Sequence, residues 1–96
     1  MDKTLAISID ILHILRNKSR SFQDIIKNKP NGCVSYKKIS LALLRMMHSK
    51  LIMIEERSDY NVILDNTLGK RKAPKSKLSV TASGMSFIDH ISDLED

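Results

Sequence analysis

The chain predicts a small α+β domain, in which three helices are followed by a β-hairpin and a last helix. Its 96 residues suffice for one hydrophobic core. Hydrophobic residues make up 42% of the chain but aromatic residues only 4%, so the core must be built from Ile, Leu, Val and Met. The spacing of apolar residues is helical up to residue 50, alternates after it, and becomes helical again after residue 81.

The first helix is predicted over residues 4–16, where apolar residues form two stripes at helical spacing. Ile7, Ile9 and Ile11 also alternate with polar residues, as in a strand, but the sequence ILHIL breaks that alternation and favours a helix. Two stripes are wider than one core face requires. The helix is therefore either central and covered on both sides, or it also meets a second subunit.

The second helix is predicted over residues 21–29. Ser21 is expected to cap its first turn, and Asp24 completes a weak capping box. The sequence PNG at 30–32 ends the helix, because Pro and Gly are strong turn residues and Pro restricts the residue before it.

The third helix is predicted over residues 35–50, with Ser35 as its N-cap. It contains no acidic residue, and the first acidic residue after it is Glu55. A strand begins directly after it at Leu51. Its buried face is predicted to consist of Ile39, Ala42, Leu43 and Met46.

The second half of the chain is predicted to form a hairpin and a helix. Strands are expected over 51–57 and 77–81, with a basic loop over 58–76 between them, and the last helix over 82–95. The alternation of apolar residues continues into the loop at Tyr60, Val62 and Leu64. Ser58-Asp59 is accordingly either a turn between two strands or a bend in one long strand.

Charge is segregated along the chain, which has a net charge of +5. Residues 35–50 and 66–81 contain several basic residues and no acidic one. The charged residues within 51–65 are mostly acidic, and the end of the chain from Asp89 to Asp96 contains no Lys or Arg. A surface that serves only solubility mixes its signs, so this pattern indicates a polyanionic partner.

The order of elements resembles that of the winged helix-turn-helix DNA-binding domains, and a short Gly-containing turn before a basic helix is typical of a helix-turn-helix. ALLRMMHSKLI, Ala42 to Ile52, is similar to the end of a winged-helix recognition helix and the start of the wing strand. LSVTASGMSFI, Leu78 to Ile88, resembles the segment that closes the wing in PadR and MarR regulators, where Thr81 and Gly84 match. Lys50 stands where these families often have a Gly, which implies a left-handed turn. The resemblance covers nearly the whole chain.

The resemblance implies that the helix over 35–50 enters the DNA major groove with its first turns. Lys37 is expected to contact a phosphate or a guanine edge, Leu41 a thymine methyl group, and Arg45 a phosphate or an acidic neighbour. Hydroxyl groups on the helix are expected to donate to phosphates or bases. The alternative is that Tyr36 packs under the wing and that the lysines are merely solvated. The predicted DNA contacts on this helix are Ser35, Tyr36, Lys37, Lys38, Ser40, Leu41 and Arg45.

The basic loop is the second predicted DNA-binding element. Its flexible tip is expected to enter the adjacent minor groove or to hold phosphates, and without DNA it is expected to be disordered and solvated. If about six to eight basic residues reach phosphates, the slope of log affinity against log salt should be about −5 to −7. The predicted contacts of the loop are Lys70, Arg71, Lys72, Lys75 and Lys77.

An excess of apolar surface predicts a homodimer. Leu44 and Met47 are expected on the outward side of the third helix, and the first helix carries two apolar stripes. Two recognition helices about one DNA turn apart would read a pseudo-palindrome. The predicted interface on the first and last helices consists of Leu5, Ile7, Ile11, Phe87, Ile88 and Ile91.

Enzymatic and metal-binding patterns are not seen in the sequence, and neither a cofactor nor a metal is expected. His13, His48 and His90 are scattered, and no Gly-rich phosphate loop is present. Cys33 is the only cysteine, and a small buried side chain is favoured over a redox switch. No apolar run approaches the roughly 20 residues of a membrane span and no signal peptide is seen, so a cytoplasmic location without a membrane partner is expected.

The expected function is a sequence-specific regulator that binds double-stranded DNA as a homodimer. Repression is favoured over activation, since no segment is left over to recruit polymerase. The alternative is a winged-helix module that binds protein through its acidic segments, or an architectural or segregation module in a nucleoprotein complex. RNA binding is disfavoured because no aromatic platform for base stacking is seen.

Overall fold

The computed structural model describes residues 3–95, and for residues 93–95 it describes the backbone only. Asp96 of the predicted acidic tail therefore lies outside the described residues, as do Met1 and Asp2. Within residues 3–95 the chain forms five α-helices and a three-stranded antiparallel sheet, which confirms the α+β class. The elements are α1 Lys3–Leu15, β1 Arg20–Ser21, α2 Phe22–Lys27, α3 Tyr36–His48, β2 Ile52–Ile54, α4 Asp59–Thr67, β3 Lys77–Val80 and α5 Ala82–Glu95, with a 3-10 turn at Pro30–Gly32 between α2 and α3.

Side-chain caps set the starts of α2 and α3. Ser21 Oγ accepts the backbone N–H of Asp24 at 3.3 Å, and Ser35 Oγ accepts that of Lys38 at 3.2 Å. Helix α2 ends earlier than predicted because Lys29, directly before Pro30, takes a left-handed conformation with φ of +47°. Both predicted caps are therefore present.

Helix α4 corrects the prediction of a basic loop over 58–76. The alternating residues Tyr60, Val62 and Leu64 predicted a strand, but residues 59–67 are helical. Ile63 and Asn66, three positions apart, are fully buried, whereas Leu64 is 40% exposed. The buried residues therefore follow helical spacing. A strand with the alternating pattern of Tyr60, Val62 and Leu64 would have left Ile63 on its outer face.

The sheet has the strand order β1-β3-β2, with β3 in the centre. Strand β1, which was not predicted, pairs with β3 through Arg20 opposite Leu78. Strands β2 and β3 form the predicted antiparallel pair, with Met53 opposite Ser79. Helix α4 and the segment after it are thus inserted between the two strands of the hairpin.

Helix α3 packs between α1 and α4 and contributes most to the core. Its predicted inner residues are all buried. Leu44 was expected on the outward side but is only 7% exposed, and Met47 is half-buried. Helix α4 packs on this second side of α3, a contact that no pattern in the sequence predicts.

The C-terminal end of α3 is joined to α5 by a compact turn. The N–H of Leu51 donates to the carbonyl of Met46 at 2.9 Å, and Lys50 has a φ of +61°, so the turn is left-handed although Lys stands in place of Gly. The Thr81 hydroxyl lies 2.6 Å from the Lys50 carbonyl oxygen and accepts the N–H of Gly84 at 3.0 Å. A Cβ atom on Gly84 would overlap with the carbonyl oxygen of Leu51. Thr81 and Gly84 therefore serve to hold α5 against this turn.

None of the helices in residues 3–95 is long and apolar enough to cross a membrane.

Candidate nucleic-acid interface

Three separate segments meet around the N-terminus of α3. On one side, a cleft of about 320 Å³ lies between the first turn of α3 and the residues that follow α4, and it includes Lys37, Lys70 and Arg71. On the other side, a cleft of about 270 Å³ is lined by Lys3 from α1 and Lys38 from α3. We call these five basic residues the basic face.

The basic face has little compensating negative charge. In residues 3–92, no salt bridge joins Lys3, Lys37, Lys38 or Lys70 to a carboxylate, and all four side chains are exposed. The N-terminus of a helix adds a partial positive charge at the same place. This end of α3 is therefore suited to bind a polyanion.

The exposed part of α3 is a single narrow stripe. Its first turn contributes Lys37 and Lys38 and its later turns Leu41, Arg45 and His48, while the other sides of the helix pack on α1 and α4. Arg45 lies towards the far end of α3, away from the basic face. Ser40 is fully buried, so the prediction that its hydroxyl contacts DNA is wrong. It lies two helical turns before His48, which is bonded to Tyr60 of α4.

Tyr36 is half-buried and lies between two other side chains. Its ring centroid is 5.3 Å from that of Phe22, and the Arg71 guanidinium lies over its other face at 4.9 Å. This arrangement is the alternative in which Tyr36 packs beneath the residues of the predicted wing. The ring holds the Arg71 charge next to the first turn of α3 through a cation–π contact.

The segment that returns from α4 to β3, residues 70–76, is held along α4; we call it the return segment. The Asn66 amide donates to the Lys72 carbonyl and accepts the Lys72 N–H, both at 2.7 Å. At the other end of α4, an Asp59 carboxylate oxygen accepts the N–H of Ser76 at 3.1 Å. The expectation of a free, solvated loop is therefore wrong, since both ends of the segment are bonded to one helix.

The remaining predicted contacts in the return segment and β3 differ from Lys70 and Arg71. Lys72 Nζ lies 3.6 Å from an Asp65 carboxylate oxygen, which offsets its charge. Lys75 and Lys77 are exposed, but they lie near the start of α4, where Asp59 and Glu55 accept backbone N–H groups. The structure thus brings Lys70 and Arg71, but not these three, to the N-terminus of α3.

Lys3 and Asn66 were not predicted as site residues. Lys3 lies 34 positions before Lys37 in the sequence, and only the packing of α1 against α3 brings it to this end of the molecule. Asn66 is a buried polar residue that fixes the return segment. A buried Asn has the same sequence signature as a loop Asn, so no signal in the sequence marked it.

The predicted dimer interface is partly incorrect. Ile7, Ile11 and Ile88 are buried in the core of a single chain and cannot contact a second one. Leu5 is 44% exposed, and Phe87 is half-buried; both line an apolar cavity of about 570 Å³ between α1, α5 and the C-terminal end of α3. Three of the six predicted residues, namely Leu5, Phe87 and the half-buried Ile91, therefore remain available.

Metal-ligand residues do not gather in the described part of the chain, where no group of three or more His, Cys, Asp or Glu side chains is found. His48 instead shares a hydrogen bond of 2.8 Å with the Tyr60 hydroxyl, which links α3 to α4. Cys33 is half-buried beside the turn before α3.

No protein-family model matches the chain, and neither does any curated protein or solved structure. Charge and geometry at the N-terminus of α3 are thus the observations that bear on function.

Proposed function

We propose that this protein is a sequence-specific regulator of transcription that binds double-stranded DNA and represses by occupying its site. The observation that carries the proposal is the basic face, where basic side chains from α1, α3 and the return segment surround one helix end. In residues 3–92 no carboxylate forms a salt bridge with its four lysines. Phosphates would supply the missing negative charge, and release of their counterions would drive binding.

The exposed stripe of α3 is the proposed reading element. Lys37 and Leu41 lie one helical turn apart on it, where one can reach a guanine edge and the other a thymine methyl group. Lys3 and Lys38 are on the side of the stripe away from α4 and would hold a phosphate strand. The hydroxyl of Ser35 caps the helix and is not required as a DNA contact.

The proposed fold is a modified winged helix-turn-helix. Helices α2 and α3 with the turn between them supply the helix-turn-helix, and β2 with β3 supplies the hairpin. Helix α4 occupies the position of the flexible wing tip and packs on α3. The modification leaves the first turn of α3 exposed, because α4 covers a different side of the helix.

The protein is proposed to act as a homodimer through the apolar cavity between α1 and α5. Leu5 and Phe87 at its edge would be covered by a second copy. Two α3 helices related by a twofold axis would then meet successive major grooves about 34 Å apart. A solution mass of one chain at micromolar concentration would contradict this assembly.

A second candidate, a module that binds another protein, is favoured by one observation. Leu64 is 40% and Leu68 76% exposed on the outer side and at the end of α4. Exposed Leu side chains on one helix are suited to an apolar protein partner. This candidate requires no affinity for DNA, and one experiment therefore separates the two.

The experiment is fluorescence anisotropy with a duplex from the gene's upstream region and a scrambled duplex, at several salt concentrations. Preferential binding to the first duplex, with a log–log salt slope of about −4 for each protomer, would support the regulator, since about five charges face the DNA. Equal binding to both duplexes would indicate an architectural role. Absence of binding near physiological salt would contradict the proposal and favour the protein-binding module.

Lys3→Ala tests the basic face, and Lys18→Ala is its matched control variant. Lys18 is exposed and follows the C-terminal end of α1, whereas Lys3 is at the start of that helix. About 20 Å of helix separates the two residues. Lys18→Ala removes the same charge as Lys3→Ala but should change DNA affinity by less than about twofold, because only Lys3 belongs to the basic face.

A further inference from the structure

We infer that the return segment binds DNA at the same major groove as α3 and does not enter the adjacent minor groove. The inference rests on the proposed DNA-binding function and specifies how the second basic segment takes part in it. It also assigns Asn66 as the residue that positions the segment. Neither Lys70 nor Arg71 would then act as a separate minor-groove arm.

The return segment is attached to α4 at two places. Asn66 is fully buried and bonds both backbone groups of Lys72, and Asp59 bonds the N–H of Ser76. About 10 Å of α4 separates Asp59 from Asn66. Four residues of extended chain span about 13 Å, so the backbone between Lys72 and Ser76 has little slack. The segment is thereby kept from swinging away from α4.

Arg71 lies over the first residue of α3. Its guanidinium lies 4.9 Å from the centre of the Tyr36 ring, and Tyr36 is the first residue of α3. Lys37, the proposed base or phosphate contact, is the next residue. The charge of Arg71 is therefore within a few ångströms of the helix turn that enters the groove.

The two grooves of DNA are much farther apart than Arg71 is from α3. The centre of the neighbouring minor groove lies about 17 Å along the duplex from the major-groove centre, which is half of the ~34 Å helical repeat. A side chain held over Tyr36 cannot span that distance while the return segment stays bonded to α4. Lys70 and Arg71 would instead contact the phosphates or base edges that border the groove occupied by α3.

Asn66 is the positioning residue in this arrangement. It has no exposed surface and cannot itself touch DNA. Its side-chain amide bonds both the carbonyl oxygen and the N–H of Lys72, the residue directly after Arg71. Loss of the amide would release Lys70 and Arg71 from the N-terminus of α3 without removing their charges.

The test measures the affinity of the full chain for a duplex of about 20 base pairs with A·T-rich flanks, selected for tight binding. The duplex is used alone, with netropsin filling the minor groove, and with glucosylated 5-hydroxymethylcytosine blocking the major groove. We expect netropsin to change Kd by less than about threefold and glucosylation to raise it more than about tenfold. A rise of more than about tenfold with netropsin that disappears in Lys70→Ala/Arg71→Ala would overturn the inference.

Variants separate the role of Asn66 from general damage to the fold. Lys70→Ala/Arg71→Ala should raise Kd about 10- to 100-fold and reduce the salt slope by about two, since two phosphate contacts are lost. Asn66→Ala should cause a similar loss, and the triple variant no further loss, because both changes remove the same contacts. If the rise in Kd of the triple variant equals the product of the two separate rises, the positioning role of Asn66 would be overturned. Lys75→Ala/Lys77→Ala is the control with the same charge change and an expected effect below about threefold.

Tyr36→Leu provides a second route should Asn66→Ala fold poorly. Leu can still pack on Phe22 but offers no ring to the Arg71 guanidinium. Its loss of affinity should not add to that of Arg71→Ala, and additive losses would contradict the placement of Arg71. Should none of the duplex forms bind even the unaltered protein, the proposed DNA-binding function itself would fail, a result distinct from sensitivity to netropsin.

Discussion

The two ends of α3 differ in the residues that surround them. At the N-terminal end, basic side chains from three segments lie exposed beside two clefts. At the C-terminal end, Lys50, Thr81 and Gly84 form a tight hydrogen-bonded joint between α3, β2 and α5. The N-terminal end of α3 is thus the proposed DNA-binding end and the C-terminal end is the structural end, and the two should respond to different substitutions.

The largest expected effect is on stability, at the structural end. Gly84→Ala places a Cβ atom onto the Leu51 carbonyl oxygen and the Val80 side chain, so α5 has to move away from the joint. We expect the free energy of unfolding to fall by about 3 kcal/mol, as for a severely overpacked site. A thermal melt measures this as a decrease of more than about 10 °C. Ser83→Ala, at the exposed neighbouring position, is the control, and an unchanged melting temperature for Gly84→Ala would show that the joint is not tight.

The next largest effect is expected on DNA binding, from a substitution at the N-terminal end of α3. Lys37→Glu should raise the Kd for DNA about 10- to 100-fold and make the salt slope about one unit shallower, because a phosphate contact is replaced by repulsion. The melting temperature should change by less than about 2 °C, since Lys37 is exposed and forms no salt bridge in the described residues. Lys18→Glu has the same charge change away from the basic face. Equal losses for both variants would indicate a general charge effect.

Ser40→Ala tests the boundary between the exposed stripe and the side of α3 covered by α4. The Ser40 hydroxyl is fully buried and has no hydrogen-bond partner in the described residues. Its removal should raise the free energy of unfolding by about 1 kcal/mol, because an unsatisfied buried group is eliminated. DNA affinity, measured by anisotropy, should stay within about twofold. A marked loss of affinity would mean that α4 leaves α3 when DNA binds.

The smallest effect is expected at Lys50. A residue with a Cβ atom is strained at a φ of +61°, and Gly is not. Lys50→Gly should therefore raise the free energy of unfolding by about 0.5 kcal/mol, and chemical denaturation can resolve this difference. Lys50→Ala keeps the Cβ atom while removing the charge, so it should give no gain. Equal stabilisation by both variants would instead indicate relief of charge repulsion.

The sequence predicted those features that depend on neighbours along the chain. Ser21 and Ser35 each cap a helix by accepting the N–H of the residue three positions later. Helix α4 was missed because alternating apolar residues in a segment with Asp and Asn favour a strand and turn, whereas its burial at Ile63 and Asn66 depends on α3. Packing against α3 therefore determines that residues 59–67 are helical.

The candidate site follows the same division. The acid-free segments containing Lys37, Lys70 and Arg71 were visible in the sequence as charge runs. Their meeting at one end of α3, the addition of Lys3, and the burial of Ser40 all depend on contacts between distant segments. The sequence thus shows the sign of each charge, but only the fold shows which charges lie on one surface.

We propose that DNA contacts the N-terminal end of α3 and does not contact the joint at its C-terminal end. An NMR titration of the ¹⁵N-labelled protein with a selected duplex, following assigned amide resonances, tests it most directly. We expect the largest shifts at Lys3, in residues 34–38 and in residues 69–72, with small shifts in residues 49–51 and 81–84. Large shifts confined to the joint or to the acidic residues around Glu55, or no shifts at all, would contradict the claim.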